Sequence, residues 1–218
     1  MKIKWLGHSC FLLTTGSGAV LITDPYDVEA YPGTLLYDPI DETADVVTIS
    51  HQHPDHNNVE AVGGTPIIVS TPNSHSEAGF SIFGVASYHD KVAGAQRGDN
   101  LVFSISADSF NICHLGDLGQ VLSAEQVEAI GPVDVLMIPV GGTFTIDAAA
   151  ATRVWQQLSP PLTIPMHFRN SKCRFQIAGV DEFLAGKPSV ERAGASEIEV
   201  EKENLSAGPK IVVLEPAK

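Results

Sequence analysis

Positive charge is scarce in this chain. Thirteen lysines and arginines face 26 aspartates and glutamates, for a formal net charge of −13. A protein that grips RNA or DNA needs a basic face to neutralise phosphates. None can be assembled here, so nucleic acid is not an expected partner. Cysteine is rarer still. Cys10, Cys113 and Cys173 are odd in number and far apart, which excludes a disulfide framework and a CxxC metal site. They read as buried, reduced thiols of a cytoplasmic protein. No stretch offers the roughly 18 apolar residues that span a bilayer, so no membrane partner is expected. The opening MKIKWLGHSCFLLTTG is interrupted by Gly7 and His8 and has no small-residue cleavage site, unlike a signal peptide. Short-period repeats and low-complexity tracts are absent as well.

What is present is 44% hydrophobic residues with 19 glycines and 14 prolines, a composition that suits one compact α/β domain over residues 1–218 with many tight turns. Strands are expected over Lys2 to Leu6, Cys10 to Thr14 and Ala19 to Thr23, the last two joined at Gly16-Ser17-Gly18. Val46 to Ser50, Pro66 to Ser70, Phe80 to Tyr88, Leu101 to Ser106 and Phe110 to His114 continue the β pattern, with a hairpin turn at Ala107-Asp108-Ser109. Ser123 to Ile130 opens on a capping-box pattern, Ser123 with Gln126, and reads as a helix. Val133 to Val140 reads as a buried strand, Thr145 to Leu158 as a helix capped by Thr145, and Leu162 to Pro165 and Ile211 to Leu214 as strands. Gly179 to Pro209 is less legible, its segment EIEVEKEN fitting either an edge strand or a loop. Strands followed by helices in each half permit two sheets sandwiched between helices.

The chemistry concentrates in His51-Gln52-His53-Pro54-Asp55-His56, directly after an apolar strand. Imidazole and carboxylate are ligands for zinc and similar ions. In an extended turn His51 and His53 point the same way and can share one ion. Asp55 and His56 then reach the far side of the turn. Four ligands from one loop do not easily serve a single tetrahedral ion, so the spacing suggests two.

This cluster resembles the signature of the metallo-β-lactamase superfamily. Downstream, Gly116-Asp117 looks like the family's bridging aspartate, His167 like its last metal-binding histidine, and Asp24 like its structural aspartate. The opening Gly7-His8-Ser9-Cys10-Phe11 and the segment from His89 to Asn100 look like a branch of metal-dependent hydrolases related to lactonases and phospholipase-D-like members. The resemblance spans about residues 1–170. It implies a four-layer αββα sandwich of two mixed β-sheets flanked by helices, and two divalent ions, with Zn2+ foremost and Mn2+ or Fe2+ as alternatives. It also implies hydrolysis of a small ester, lactone or phosphodiester by a metal-bridged hydroxide. His53 stands where the oxygen-reducing di-iron branch has a glutamate, which favours hydrolysis over redox chemistry.

The implied ligand set is His51, His53 and His89 on one ion, Asp55, His56 and His167 on the other, and Asp117 on both. His89 and His114 compete for the remaining place. His89 has the matching order, whereas His114 lies three residues before Asp117 and on a strand would face the opposite side. Asp55, His8 and His114 are the candidate catalytic residues: Asp55 to orient the nucleophile or shuttle a proton, His8 to touch the substrate or a carboxylate ligand, and His114 in a supporting, hydrogen-bonded role. His8 reads equally as a buried turn histidine. His75 reads as surface loop. Arg97 reads as a loop salt bridge or as the holder of an anionic substrate group. Gly141-Gly142-Thr143 reads as a turn beside the pocket. The substrate is expected to be a small molecule, and the oligomeric state is open. Two rivals stand beside this reading. A non-enzymatic metal-binding or sensing module would have a closed coordination shell, and a nuclease would need a basic groove.

Overall fold

A computed structural model describes residues 1–218, apart from the side chains of residues 206 and 207. The N-terminal third forms strands β1 (Lys2–Gly7), β2 (Cys10–Thr14), β3 (Val20–Thr23), β4 (Val46–Thr48) and β5 (Ile67–Val69). These join in one sheet, whose other edge is β13 (Glu197–Glu199) paired antiparallel with β1. The second sheet contains β6 (Ser74–Glu77), β7 (Phe80–Tyr88), β8 (Asp99–Ala107), β9 (Phe110–His114), β10 (Val135–Pro139), β11 (Leu162–Met166), β12 (Val190–Arg192) and β14 (Lys210–Val213). Its order is β12-β14-β11-β10-β9-β8-β7-β6. Both sheets mix parallel and antiparallel pairs. β10 and β11 are buried along their whole length, as central strands covered on both faces must be.

Alternation of side chains builds the sandwich. Ile3, Trp5, Phe11, Leu13, Leu21 and Val46 point from the first sheet into a core shared with Phe80, Phe103, Ile112 and Met137 of the second. Leu6, Cys10, Ile22 and Val47 face the other way and are covered by Tyr26, Leu35, Tyr37, Ile40 and Val62. That covering is irregular chain with a 3-10 turn at Val59–Ala61. On the second sheet, helix α1 (Ala124–Ile130) packs on β7 and β8, and helix α2 (Ala148–Leu158) packs on β10 and on the short helix α3 (Asp181–Leu184). Among the described residues, no helix is long and apolar enough to cross a membrane.

The turns follow local chemistry. Asp108 and Ser109 both take positive φ, 50° and 65°, and join β8 to β9 as a two-residue hairpin with Ala107 opposite Phe110. Ser123 caps α1 with the expected capping box, its side chain accepting from Gln126 N. For α2 the expectation is corrected. Asp147 caps the helix, its carboxylate accepting from Ala150 N at 2.8 Å, because Phe144 to Ile146 are held in a turn against Gly142 and Leu118. His75 is corrected as well. It is half-buried in edge strand β6, where a polar SHSE segment pairs with β7.

All three cysteines are unpaired and buried. Burial pushes each thiol up: Cys10 well above its ordinary value with Asp24 and Glu42 adding to the effect, Cys113 likewise, and Cys173 to about 11. Thiolate is the reactive form. We therefore expect no thiol to react promptly with Ellman's reagent at pH 8 in the native protein, and all three to react in guanidinium. A fast-reacting thiol in the native state would contradict this packing.

Candidate metal centre

Strands from both sheets end at one edge and deliver the polar residues there. β1 leads into His8, β3 into Asp24, β4 into Ser50 and the histidine loop, β7 into His89, β9 into Asp117, and β11 into His167. Several of these exits are sharp. His8, Asp24 and His167 have φ of 52°, 39° and 49°, and Gly116 has φ 54°. Side-chain-bearing residues rarely take such values, and they cluster where surrounding structure forces a side chain inward. At Gly116 a Cβ would lie 2.5 Å from both Asn100 Oδ1 and Ser50 Cβ, so the turn that presents Asp117 requires glycine. Asn100 completes that turn. Its amide donates to Leu115 O at 3.0 Å and its oxygen accepts from Asp117 N at 2.9 Å.

Asp24 organises the histidine loop. Its Oδ1 accepts from Ser50 N at 2.7 Å, and its Oδ2 accepts from Ser50 Oγ at 2.5 Å and from His56 Nδ1 at 3.0 Å. The tautomers follow from donor counting. A carboxylate only accepts, so His56 carries a proton on Nδ1 and leaves Nε2 as the nitrogen a metal would take. The single Ser50 hydroxyl proton goes to Asp24. Ser50 Oγ therefore accepts from His51 Nδ1, 2.9 Å away, and the neutral His51 presents a bare Nε2. That atom is buried and has no hydrogen-bond partner. Around it lie His53 and His89, with ring centroids 4.7 and 4.6 Å from that of His51. Asp117 Oδ2 lies 3.3 Å from His56 Nε2, 3.4 Å from His89 Nε2 and 3.2 Å from His167 Nε2, while Asp117 Oδ1 is buried without a partner. Asp55 Oδ2 lies 3.2 Å from His8 Nε2.

Three overlapping sets of donor atoms lie within 4.8 Å: His51, His53 and His89; Asp55, His56, His167 and His8; and Asp24, His51 and His56. Asp24 is taken up by its bonds to Ser50 and His56, which leaves the first two. Comparison with known proteins identifies the family. Residues 2–167 match the profile of the β-lactamase superfamily domain. A metal-dependent hydrolase of Methanospirillum hungatei is 30% identical over 191 residues, 77% of this chain and 83% of that protein. A crystal structure from Thermotoga maritima, assigned to the Zn-dependent hydrolases of the metallo-β-lactamase superfamily, is 38% identical with a TM-score of 0.80, covering 98% of both chains. The chain belongs to the metal-dependent hydrolases of the metallo-β-lactamase superfamily. Igni18, a metallo hydrolase of Ignicoccus hospitalis, shares the fold at a TM-score of 0.65 and 22% identity, over 100% of this chain and 96% of that one.

The electrostatics of this metallo-β-lactamase site suit a cation. Burial alone would raise Asp117 and Asp55. His167 and His56 instead hold Asp117 well below the carboxylate range, and His56 and His8 do the same for Asp55. Asp117 and Asp55 in turn raise His56 despite its burial. Burial lowers His51 to about 3 and, together with His167, lowers His8 to about 4, so both stay neutral. Ionised carboxylates beside His51, a neutral imidazole with a bare Nε2, suit a divalent ion, and the proton that Asp117 and Asp55 draw to His56 is one that a bound cation would displace.

The structure brings together His51, His53, Asp55, His56, His89, Asp117 and His167. His114 holds the supporting, hydrogen-bonded place expected of it and is corrected only as a catalytic residue. Its Nε2 donates to Ser9 O at 2.8 Å and its Nδ1 accepts from Gly116 N at 3.3 Å. Both nitrogens are engaged by backbone and the ring is fully buried. It can neither ligate nor reach substrate, and instead ties β9 to the turn at Ser9. For His8 the buried reading and the carboxylate-contacting reading both hold. It is fully buried, lies against Asp55, and packs at a tilt on His167 with 4.1 Å between centroids. Ser50, Asn100 and Asp90 carry no motif that marks them in the sequence.

A cleft of about 220 Å³ opens onto His53, Asp55, His89, Asp117 and His167, walled by Tyr31, Phe144, Phe175 and Arg97. Its rim is fixed by Asp90. That buried carboxylate accepts the backbone N–H groups of Val92, Gly94, Gln96 and Arg97 at 2.8–2.9 Å. Although burial would raise its pKa, these bonds lower it to about 2. Replacing Asp90 with alanine should therefore speed hydrogen exchange at those four amides by roughly tenfold or more, with core amides unchanged. Unchanged exchange in the loop would refute the role assigned to Asp90.

Proposed function

We propose that the chain hydrolyses a small ester, lactone or phosphodiester at a centre of two divalent ions, zinc foremost and manganese or iron as alternatives. His51, His53 and His89 would hold one ion, Asp55, His56 and His167 the other, and Asp117 both. Such a pair supplies Lewis acidity and lowers the pKa of a water toward about 7. In ester cleavage, water adds to the acyl carbon, the acyl C–O bond breaks, the alcohol leaves with a proton and the acid is released. Asp24 and Ser50 hold His56 and His51 in the tautomers that bind. His8 holds Asp55, whose ionised carboxylate faces the cleft and is placed to take up a proton in passing.

The observation that carries this reading is the convergence on Asp117 of buried donor atoms that lack protein partners, His51 Nε2 and Asp117 Oδ1 among them. Buried polar groups are otherwise satisfied. The cleft supports an enzyme over a closed binding module. A single arginine in its wall is a poor start for a polynucleotide groove.

The test is turnover of p-nitrophenyl acetate, an N-acyl homoserine lactone and bis(p-nitrophenyl) phosphate by metal-replete and chelated protein. We expect hydrolysis of at least one class, lost on chelation and restored by Zn2+ or Mn2+. A metal-replete protein inert toward all three would overturn the reading.

A further inference from the structure

We propose that Arg97 is the anion receptor of this site, and that the natural substrate carries a carboxylate or phosphate at a distance from the bond that is cleaved. The inference rests on the hydrolase reading above and deepens it. Arg97 stands in the wall of the same cleft as Asp117 and His89. It makes no ion pair and no side-chain hydrogen bond among the described residues. Arg153, Arg169 and Arg174 show no ion pair among the described residues either, and Arg97 is set apart from them by lining the cleft. Other cations have found partners: Lys4 with Glu42 at 3.1 Å, Lys172 with Asp38 at 3.1 Å, and Lys91, on the same loop, with Asp147 at 3.5 Å.

The guanidinium is held, nonetheless. Its carbon lies 5.7 Å from the centroid of the Phe144 ring, a cation–π arrangement. Phe144 packs against Phe175 at 5.6 Å, and Phe175 against Tyr31 at 5.2 Å. Behind it, Asp90 fixes the Arg97 backbone N–H at 2.8 Å. A planar fork of donors on a rigid loop, with one face on an aromatic ring and its N–H edge unused, is pre-organised for bidentate binding of a carboxylate or phosphate. The aromatic wall beside it suits a flat apolar body between the anion and the reacting bond. A cleft of about 220 Å³ limits that body to about the size of one ring.

The experiment compares mono-p-nitrophenyl succinate with p-nitrophenyl butyrate, esters of similar length with and without a terminal carboxylate. It uses metal-replete wild type, Arg97→Ala and Arg97→Lys. The ratio of kcat/KM values is read within each protein, so any shared loss of folding or metal cancels. In wild type the anionic ester should be preferred by roughly tenfold or more, mainly through KM. Arg97→Ala should bring the ratio close to one, and Arg97→Lys should retain part of it. Absence of the preference in wild type, or its survival in Arg97→Ala, overturns the inference while butyrate turnover still upholds the hydrolase reading. Failure of wild type to cleave either ester overturns ester hydrolysis and the inference together.

Discussion

Replacing Asp117 with alanine should remove nearly all turnover, about a thousandfold or more in kcat/KM, and leave at most one tightly held ion per chain. Asp117 is 2% exposed, and its Oδ2 lies within 3.4 Å of His56, His89 and His167, which come from both sheets. It lies against imidazoles of both donor sets, His89 of one and His56 and His167 of the other. Altering groups that merely support a ligand typically costs 10–100-fold in affinity or activity. Losing the carboxylate that would hold the cation also removes the cation's Lewis acidity, so the loss should exceed that figure. Asp117→Asn tests the charge separately from the shape. It preserves the packing and can accept through one oxygen only, so it should lose the shared ion while staying folded. Elemental analysis beside steady-state kinetics reads both effects. Full activity with both ions retained in Asp117→Ala would disprove the assignment.

Replacing Asp24 with alanine should destabilise the fold most among polar substitutions, by about 3–5 kcal/mol. Asp24 is fully buried and accepts from Ser50 N, Ser50 Oγ and His56 Nδ1. Its loss strands all three donors in the interior. Against a total stability of about 5–15 kcal/mol, that corresponds to a fall in Tm of roughly 6–20 °C. Asp24→Asn separates folding from function. An amide can still accept from Ser50 N, but its NH2 would face His56 Nδ1. That histidine must then move its proton to Nε2, which closes it to a metal. The Asp24→Asn protein should therefore be more stable than the Asp24→Ala protein, yet equally poor at holding the ion near His56. The pH dependence has a definite sign. Burial would raise the Asp24 carboxyl, but the hydrogen bond from His56 and the nearby His114 hold it below its ordinary value. Its contribution is present at neutral pH and is lost as acid takes the protein below about pH 4. Thermal unfolding of both variants across pH checks this; an Asp24→Ala protein as stable as wild type would contradict it.

The parts of this molecule that were legible in the sequence are those written in local pattern. The apolar run before His51 and the density of ligands in residues 51–56 announce the loop. The alternation in Phe80 to Tyr88, and the turn residues at Asp108-Ser109, announce the hairpins. Asp117, His89 and His167 are separated by tens of residues, and only resemblance to a family joins them. The misses have tertiary causes. Strand β6 is polar, SHSE, and is a strand only because β7 offers it an edge. The α2 cap moved from Thr145 to Asp147 because the Gly141-Gly142 turn uses the intervening residues for its own hydrogen bonds. Strands β12 and β13, in the stretch that was hard to read, are short, exposed edges with no apolar pattern. His114 keeps its supporting role but not a catalytic one, because Ser9 and Gly116 occupy both its nitrogens. Ser50 and Asp90 act by accepting or relaying hydrogen bonds, which no spacing reveals.

The count of ions in protein purified with excess zinc and then desalted tests the central claim most directly. Two sets of imidazole and carboxylate donors joined by Asp117 predict close to two equivalents per chain, and at most one in Asp117→Ala. A wild-type protein that holds a single ion or none, while folded and tested at neutral pH, would contradict the account.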